Sequence, residues 1–154
     1  MKWKKEDLQQ YKKAKEYIDT AIIPLIPIHL DNDDDELEKQ AFQAEVLMIF
    51  SYEIEKELTG RVMLMPGYFY LSTAKKDKEI NRINEWIEEI RKQPFKHILL
   101  LTFDSSWKKN EHAMEGELLW FPTIQTGHLH SDETNAIIKD QVSQMIDLVR
   151  SYWQ

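Results

Sequence analysis

Residues 17–30 read YIDTAIIPLIPIHL, and this stretch decides the fold class. Asp19 and Thr20 open it, and Ala21, Ile22, Ile23, Leu25 and Ile26 then leave no polar face. A strand without polar alternation is covered on both sides, so the stretch predicts a buried strand in an α/β sandwich with helices on both faces of the sheet. Pro24 and Pro27 each lack the N–H that a two-sided ladder uses. Regular pairing is therefore expected from Asp19 to Ile23. Pro24 to Ile28 should form an extended exit that presents His29 at the sheet rim, where α/β sheets hold ligands.

Working outward, a helix is expected from Lys4 to Glu16, because Leu8, Tyr11, Ala14 and Ile18 recur on one stripe. After the strand, Asp31-Asn32-Asp33-Asp34-Asp35 supplies capping side chains and negative charge for a second helix starting near Asp34. Its apolar positions, Leu37 through Leu58, cover a broad arc, and Thr59-Gly60 ends it. Arg61 to Met65 is a short second strand broken by Pro66-Gly67, and Tyr68-Phe69-Tyr70 then reads as an aromatic loop. Asp77 leads a third helix in which Ile80, Ile83, Ile87 and Ile90 form the cleanest stripe in the chain, and Pro94 forbids its continuation. His97 to Phe103 is another apolar strand without alternation, expected to be central.

Glu117 to Thr123 reads as a fourth strand, followed by a loop and a last helix capped by Asp132 and lined by Ile138, Val142, Met145, Val149 and Tyr152. The first three strands should be parallel, with crossover helices between them. Only the thirteen residues Asp104 to Gly116 separate strands three and four, and Trp107, Glu111 and Met114 make a thin stripe for a covering helix. An irregular hairpin, and hence an antiparallel fourth strand, is the preferred reading. The whole is expected to be a single domain over residues 1–154, with a four-stranded, mostly parallel or mixed sheet.

Composition removes several function classes. Zero cysteines excludes disulfides, thiolate metal sites and cysteine nucleophiles. A formal charge of −7 opposes general nucleic-acid binding, which relies on Lys and Arg neutralising phosphate. No tract is long enough to span a membrane, and Met-Lys-Trp-Lys-Lys-Glu-Asp lacks a signal peptide's apolar core, so a cytoplasmic location is expected. Charge is nonetheless segregated: Lys2, Lys4, Lys5, Lys12, Lys13 and Lys15 make the opening basic, and Asp31 to Glu38 is densely acidic. Solvated helix faces explain most of that pattern.

The opening Met-Lys-Trp, the run from Ala14 to Pro27 and an Asp104-x-x-Trp107 after the third strand together resemble the YpiF family of Bacillus-type bacteria. The resemblance spans essentially the whole chain. It implies a bacterial, cytoplasmic protein and carries over no site, since no activity is assigned to that family. Ala21-Ile22-Ile23-Pro24-Leu25 is also similar to the strand-then-proline opening of TolB N-terminal-like domains, which implies a mixed sheet under helices.

Candidate chemistry is sparse. Asp31-x-Asp33-x-Asp35 has the alternating carboxylates of a calcium loop, but its sixth position is Glu36 and its twelfth Phe42, so helix capping is the better explanation. His128-x-His130, with Asp132 nearby, could ligate zinc or manganese. Asp104, Ser105 and Ser106 lack a nucleophile elbow and suit a capped turn. There is no Gly-x-Gly-x-x-Gly or Walker sequence, and no cofactor is expected.

Two readings of function follow. The favoured one is a non-catalytic binding or regulatory module that offers Tyr68, Phe69 and Tyr70 to a protein partner. The alternative is a small metal-dependent enzyme at a strand-end rim that gathers His29, Asp31, Asp104 and Trp107. An antiparallel fourth strand would set His128 and His130 at the opposite rim, about 17 Å from those carboxylates.

Overall fold

The quoted stretch contains β1, Thr20–Ile28, an inner strand of a five-stranded sheet in a computed structural model that describes residues 1–124 and 128–154. Ahead of it lie α1 (Lys5–Ala14) and a 3-10 turn (Lys15–Tyr17), so the first helix tightens where one continuous helix to Glu16 was expected. After it come α2 (Asp34–Glu57), β2 (Val62–Leu64), β3 (Tyr68–Leu71), α3 (Lys76–Ile90) and β4 (His97–Thr102). A 3-10 helix (Ser105–Ala113), β5 (Glu117–Trp120) and α4 (Asp132–Tyr152) complete the order. The loop expected before α4 includes residues 125–127, which lie outside the described residues.

Side by side the strands run β2-β1-β4-β5, with β3 continuing the β2 edge along the later half of β1, and every pairing is parallel. The expected α/β architecture with helices on both faces is present. Its sheet differs from the expectation in three ways, each with a local cause.

First, pairing of β1 does not stop near Pro24 but continues to Ile28, opposite Leu71. Residues alternate in the neighbour their backbone addresses: the Ile22 and Ile28 carbonyls accept from Met65 and Ser72 on one side, and the Asp19 carbonyl from Lys96 and His97 on the other. Pro24 therefore turns its missing donor toward the outer edge, where Met65-Pro66-Gly67 separates β2 from β3. Pro27 turns its own toward the β4 side, beyond the last β4 pair at Pro24 and Leu101. Both prolines sit where no ladder bond is lost. Gly67 sits close over β1 at the break, where a Cβ would meet Ile26 Cδ1 at 2.7 Å and push that side-chain end aside.

Second, Tyr68–Leu71 is a strand, not a loop, with alternating burial. Third, β5 is parallel to β4, with Leu99 opposite Glu117 and Thr102 opposite Trp120. The hairpin and mixed-sheet readings are corrected by the geometry of the connection. Nine residues of 3-10 helix rise about 2 Å each, roughly 18 Å in all, which nearly matches the roughly 20 Å that a six-residue strand must be retraced. A tight helix reaches further per residue than an α-helix, so a short segment suffices. Its thin apolar stripe also suffices, because Trp107 is wholly buried and Met114 nearly so. Asn84 pins the return by donating to the Ala113 carbonyl at 3.0 Å and accepting from Glu115 N–H at 2.9 Å.

Two main cores result. On one face α2 and α4 pack Phe50, Ile54, Ile138 and Val149 over Ile22, Ile26, Leu99 and Leu119, and Phe50 stacks on Phe121 at 4.0 Å. On the other, the isoleucine stripe of α3 and Trp107 cover Ala21, Ile23, Leu25, Ile98 and Leu100. Full burial of each such side chain contributes about 1.5–3 kcal/mol, so the two-sided run in β1 is what couples the layers. A smaller cluster of Tyr11, Ile18 and Met63 seats α1 beside the β2 edge. No helix is long and apolar enough to cross a membrane among the described residues.

Helix starts follow the capping chemistry. Asp33 caps α2 by accepting from Glu36 N–H at 2.9 Å, which is how the acidic run is used. α4 is capped by Ser131, which accepts from Thr134 N–H at 3.1 Å, one residue ahead of the expected Asp132.

Candidate functional site

An all-parallel sheet delivers every strand exit to one rim. The order β2-β1-β4-β5 places the reversal of winding between β1 and β4, so His29 and Asp104 follow the two strands that flank it. That is where open α/β sheets usually bind ligands. Here the rim is built around a clasp: the Tyr70 hydroxyl donates to Asp104 Oδ2 at 2.6 Å, and Trp107 Nε1 donates to the Tyr70 oxygen at 2.8 Å. Ser106 N–H donates to Asp104 Oδ1 at 2.9 Å, and Asp104 N–H donates to Thr102 Oγ1 at 2.9 Å. Lys76 stands 3.9 Å from the Trp107 ring and donates to Ser106 Oγ at 2.9 Å.

Burial works to raise the Asp104 carboxyl, but hydrogen bonds from Tyr70 and Ser106, with the Lys76 charge, outweigh it and hold the group below its ordinary range. Burial and the Asp104 carboxylate push the Tyr70 phenol far up. The acid therefore stays ionised and the phenol protonated around neutrality. Neither is poised to exchange a proton near pH 7. Asp104-x-x-Trp107 thus clasps the crossover to the sheet, and the capped turn is the reading that the geometry matches.

The remaining rim residues are not drawn into that clasp. The His29 backbone is held from both sides by Gln40, whose Oε1 accepts from His29 N–H at 2.8 Å and whose Nε2 donates to its carbonyl at 3.1 Å. Asp31 is exposed. Because β5 is parallel, its exit lies at the same rim as His29 and Asp104, and the expected separation of His128 and His130 by a strand length does not hold. Both histidines are exposed beside the entrance to α4. Among the described residues no three His, Asp or Glu side chains are grouped to hold a metal ion.

β3 divides the aromatic triplet between two environments. Tyr68 and Tyr70 are buried against α3, while Phe69 is 56% exposed and Leu71 57%. Tyr68 donates to the Glu79 carboxylate, and burial followed by that bond pushes its phenol far up. Arg82 lies 4.8 Å from the Tyr68 ring and donates to the Phe69 carbonyl at 3.3 Å. The two tyrosines are therefore out of a partner's reach, and only Phe69 of the triplet offers its ring. Strand alternation was the signal that could have found this: YFYL alternates only if Tyr faces the core, a choice hidden when all members are aromatic.

Phe69 does not stand alone. With Ile26, Ala44, Met48, Ile49 and Leu129 it borders a shallow apolar depression of ≈ 330 Å³, and Glu45 is the charged residue in its lining among the described residues. Since Ser72 N–H addresses the Ile28 carbonyl, the alternate residues Phe69 and Leu71 turn their N–H groups outward along the open edge. Their carbonyls are taken, by Arg82 and by Ala74 N–H at 3.0 Å. The edge can give hydrogen bonds but has little to accept with. Sequence periodicity could not reveal this surface, because α2, β3 and Leu129 meet only in the fold.

Comparison with known proteins bears on the chain's kinship. It is similar to the uncharacterized protein YpiF of Bacillus subtilis (strain 168), at 31% identity over 153 residues that cover 99% of this chain and 98% of the relative. No solved structure matches it. Residues 9–153 match the model of the protein family of unknown function DUF2487, and the chain belongs to that family.

Proposed function

We propose that this chain is a non-catalytic protein-binding module of the bacterial cytoplasm, the setting that its family resemblance implies, and that its partner docks on the β3 edge. The observation that carries the reading is the pair Phe69 and Leu71, more than half exposed on an open edge strand beside an apolar depression. Isolated apolar residues are ordinary at a surface, but a contiguous patch on an unpaired edge is a docking feature or a hazard. The partner's chemistry follows from the flanks. From Glu45 in the depression to Glu38 along α2 is seven residues, about 10 Å of helix, and Asp35, Asp34 and Asp31 lie beyond. The fitting occupant is an apolar, extended protein segment with basic residues beside it. The outward N–H groups of Phe69 and Leu71 can be met by its carbonyls.

A photo-crosslinking phenylalanine analogue at position 69, with the same residue at the exposed position Tyr17 as control, tests the reading in the native host. A single protein crosslinked at 69 and not at 17, through a peptide with Lys or Arg flanking apolar residues, is the expected result. Leu71→Asp, with the analogue kept at 69, should abolish it without moving the thermal unfolding curve. Crosslinking only to another copy of this chain, or equally at both positions, overturns it.

A further inference from the structure

On the opposite face of the sheet a second concavity, ≈ 600 Å³, lies between α1, the last turns of α3 and the β2 edge. Met63, Met65 and Phe95 line its base, and Trp3 and Trp86, 60% and 47% exposed, stand at its mouth. Tyr11 ties α1 to the segment that follows α3: its hydroxyl donates to Gln93 Oε1 at 3.1 Å and its ring stacks on Phe95 at 5.9 Å. Charge is arranged against the trend of the molecule. In a chain of net charge −7 the cleft is lined by Lys12, Lys15 and Lys92 with Glu89 as the only acid. Lys92 is spent on Glu89 at 2.6 Å. Lys15 lies 5.5 Å from the Tyr11 ring, and neither it nor Lys12 has a carboxylate partner among the described residues.

We infer that this cleft is a binding site for a small amphiphilic anion, an apolar chain ending in a carboxylate. Its volume lies within the range of small-molecule sites, roughly 300–1,000 Å³. An apolar body is required because sulfur, aromatic and aliphatic surface forms the base, and methionine adapts to flexible chains. An anionic end is favoured because the two unmatched lysines stand three residues apart, Lys12 on α1 and Lys15 at the start of the 3-10 turn, and gain from a charge that the protein does not supply. A neutral amphiphile would leave them unchanged, and a cationic one would meet repulsion. The site is independent of the β3 edge, sharing none of its side chains.

Dodecanoate, kept below its micelle concentration, is the probe, titrated into the full chain carrying ¹³C-methyl methionine. Saturable shifts are expected at Met63 and Met65, with Met48 beside Phe69 and Met145 in the α4 core unmoved. Lys12→Gln/Lys15→Gln should weaken binding about tenfold, equivalent to about 1.4 kcal/mol. Lys5→Gln/Lys13→Gln, the same change of net charge on α1 but outside the cleft, should leave affinity within about twofold. Dodecyltrimethylammonium should bind at least about tenfold more weakly than dodecanoate. Non-saturable shifts, shifts centred on Met48, equal affinity for the cation, or equal effects of the two lysine pairs would each overturn the proposal.

Discussion

The two ends of the sheet are each closed by an aspartate, and they use different chemistry. At the entry end, Asp19 receives both arms of Arg61 at 3.0 Å, Arg61 lies 3.9 Å from the Trp153 ring, and Trp153 Nε1 donates to the buried Thr20 hydroxyl at 2.8 Å. At the exit end, Asp104 is held by the neutral donors Tyr70 and Ser106, with Trp107 behind them. The first clasp is a partly solvated ion pair, with Arg61's side chain 38% exposed. The second is a hydrogen-bond chain that is part-buried at Asp104 and buried from Tyr70 to Trp107, anchored on a fully enclosed indole. Water can replace a lost partner in the first far more readily than in the second. The end of the sheet where ligands usually bind is therefore the one locked by less replaceable contacts.

The largest test of that difference is Trp107→Ala. It empties the plug that makes the short crossover possible and leaves the Tyr70 hydroxyl without its donor, so a loss of about 3–5 kcal/mol is expected in urea unfolding. Tyr70→Phe is gentler in volume but strands the Trp107 N–H and one oxygen of Asp104, and should cost about 1–3 kcal/mol. Arg61→Ala should cost less, about 1 kcal/mol, because solvent screens the pair it breaks. If Arg61→Ala proved the more damaging of the last two, the ranking of the clasps would be reversed.

Acid unfolding sharpens the comparison further. At Asp19 burial raises the carboxyl and the Arg61 and Thr20 hydrogen bonds lower it by more, so both aspartates lie below their ordinary value of 3.8. A depressed folded value means that the unfolded chain binds more protons in that window, so stability rises with pH there. The stabilisation is complete above the unfolded value and is lost as pH falls from about 3.8 through the folded values. Asp104→Asn and Asp19→Asn should each flatten that loss in equilibrium unfolding between pH 5 and pH 2. Added salt should shrink the Asp19 contribution more, since its main partner is a charge. An unchanged acid limb in both variants would show that neither clasp carries the linkage.

The smallest expected effect concerns His128 and His130. Sharing a rim with His29 and Asp104 does not by itself assemble ligands, and zinc or manganese should shift the unfolding temperature no more in the wild type than in His128→Ala/His130→Ala. Metal stabilisation lost in the double variant would instead favour the metal-dependent alternative.

Much of the fold was legible because its signals are local. The α3 stripe, the Asp33 cap, the Pro66-Gly67 break and the unalternating run of β1 each depend on residues a few positions apart, and each appears near its expected place. The aromatic triplet shows where local reading fails. A strand of alternating Tyr and Phe carries no polar contrast, so nothing in it says which rings face the core, and of the triplet only Phe69 stays exposed once α3 claims the tyrosines.

What the sequence by itself determined is the four α-helices, the strands other than β3, and that β1 lies between two layers, because periodicity and propensity act within a segment. Only the tertiary structure decided the direction of β5, the harmlessness of Pro24 and Pro27, and the meeting of Trp3, Trp86, Lys12 and Lys15 around one cleft. Direction depended on whether fourteen residues, 103–116, could retrace β4 and whether a single indole could seal the return. Proline tolerance depended on which neighbour each missing donor faced. Both are relations between segments distant in the chain, and they are settled by reach and by packing volume rather than by the pattern of any one segment.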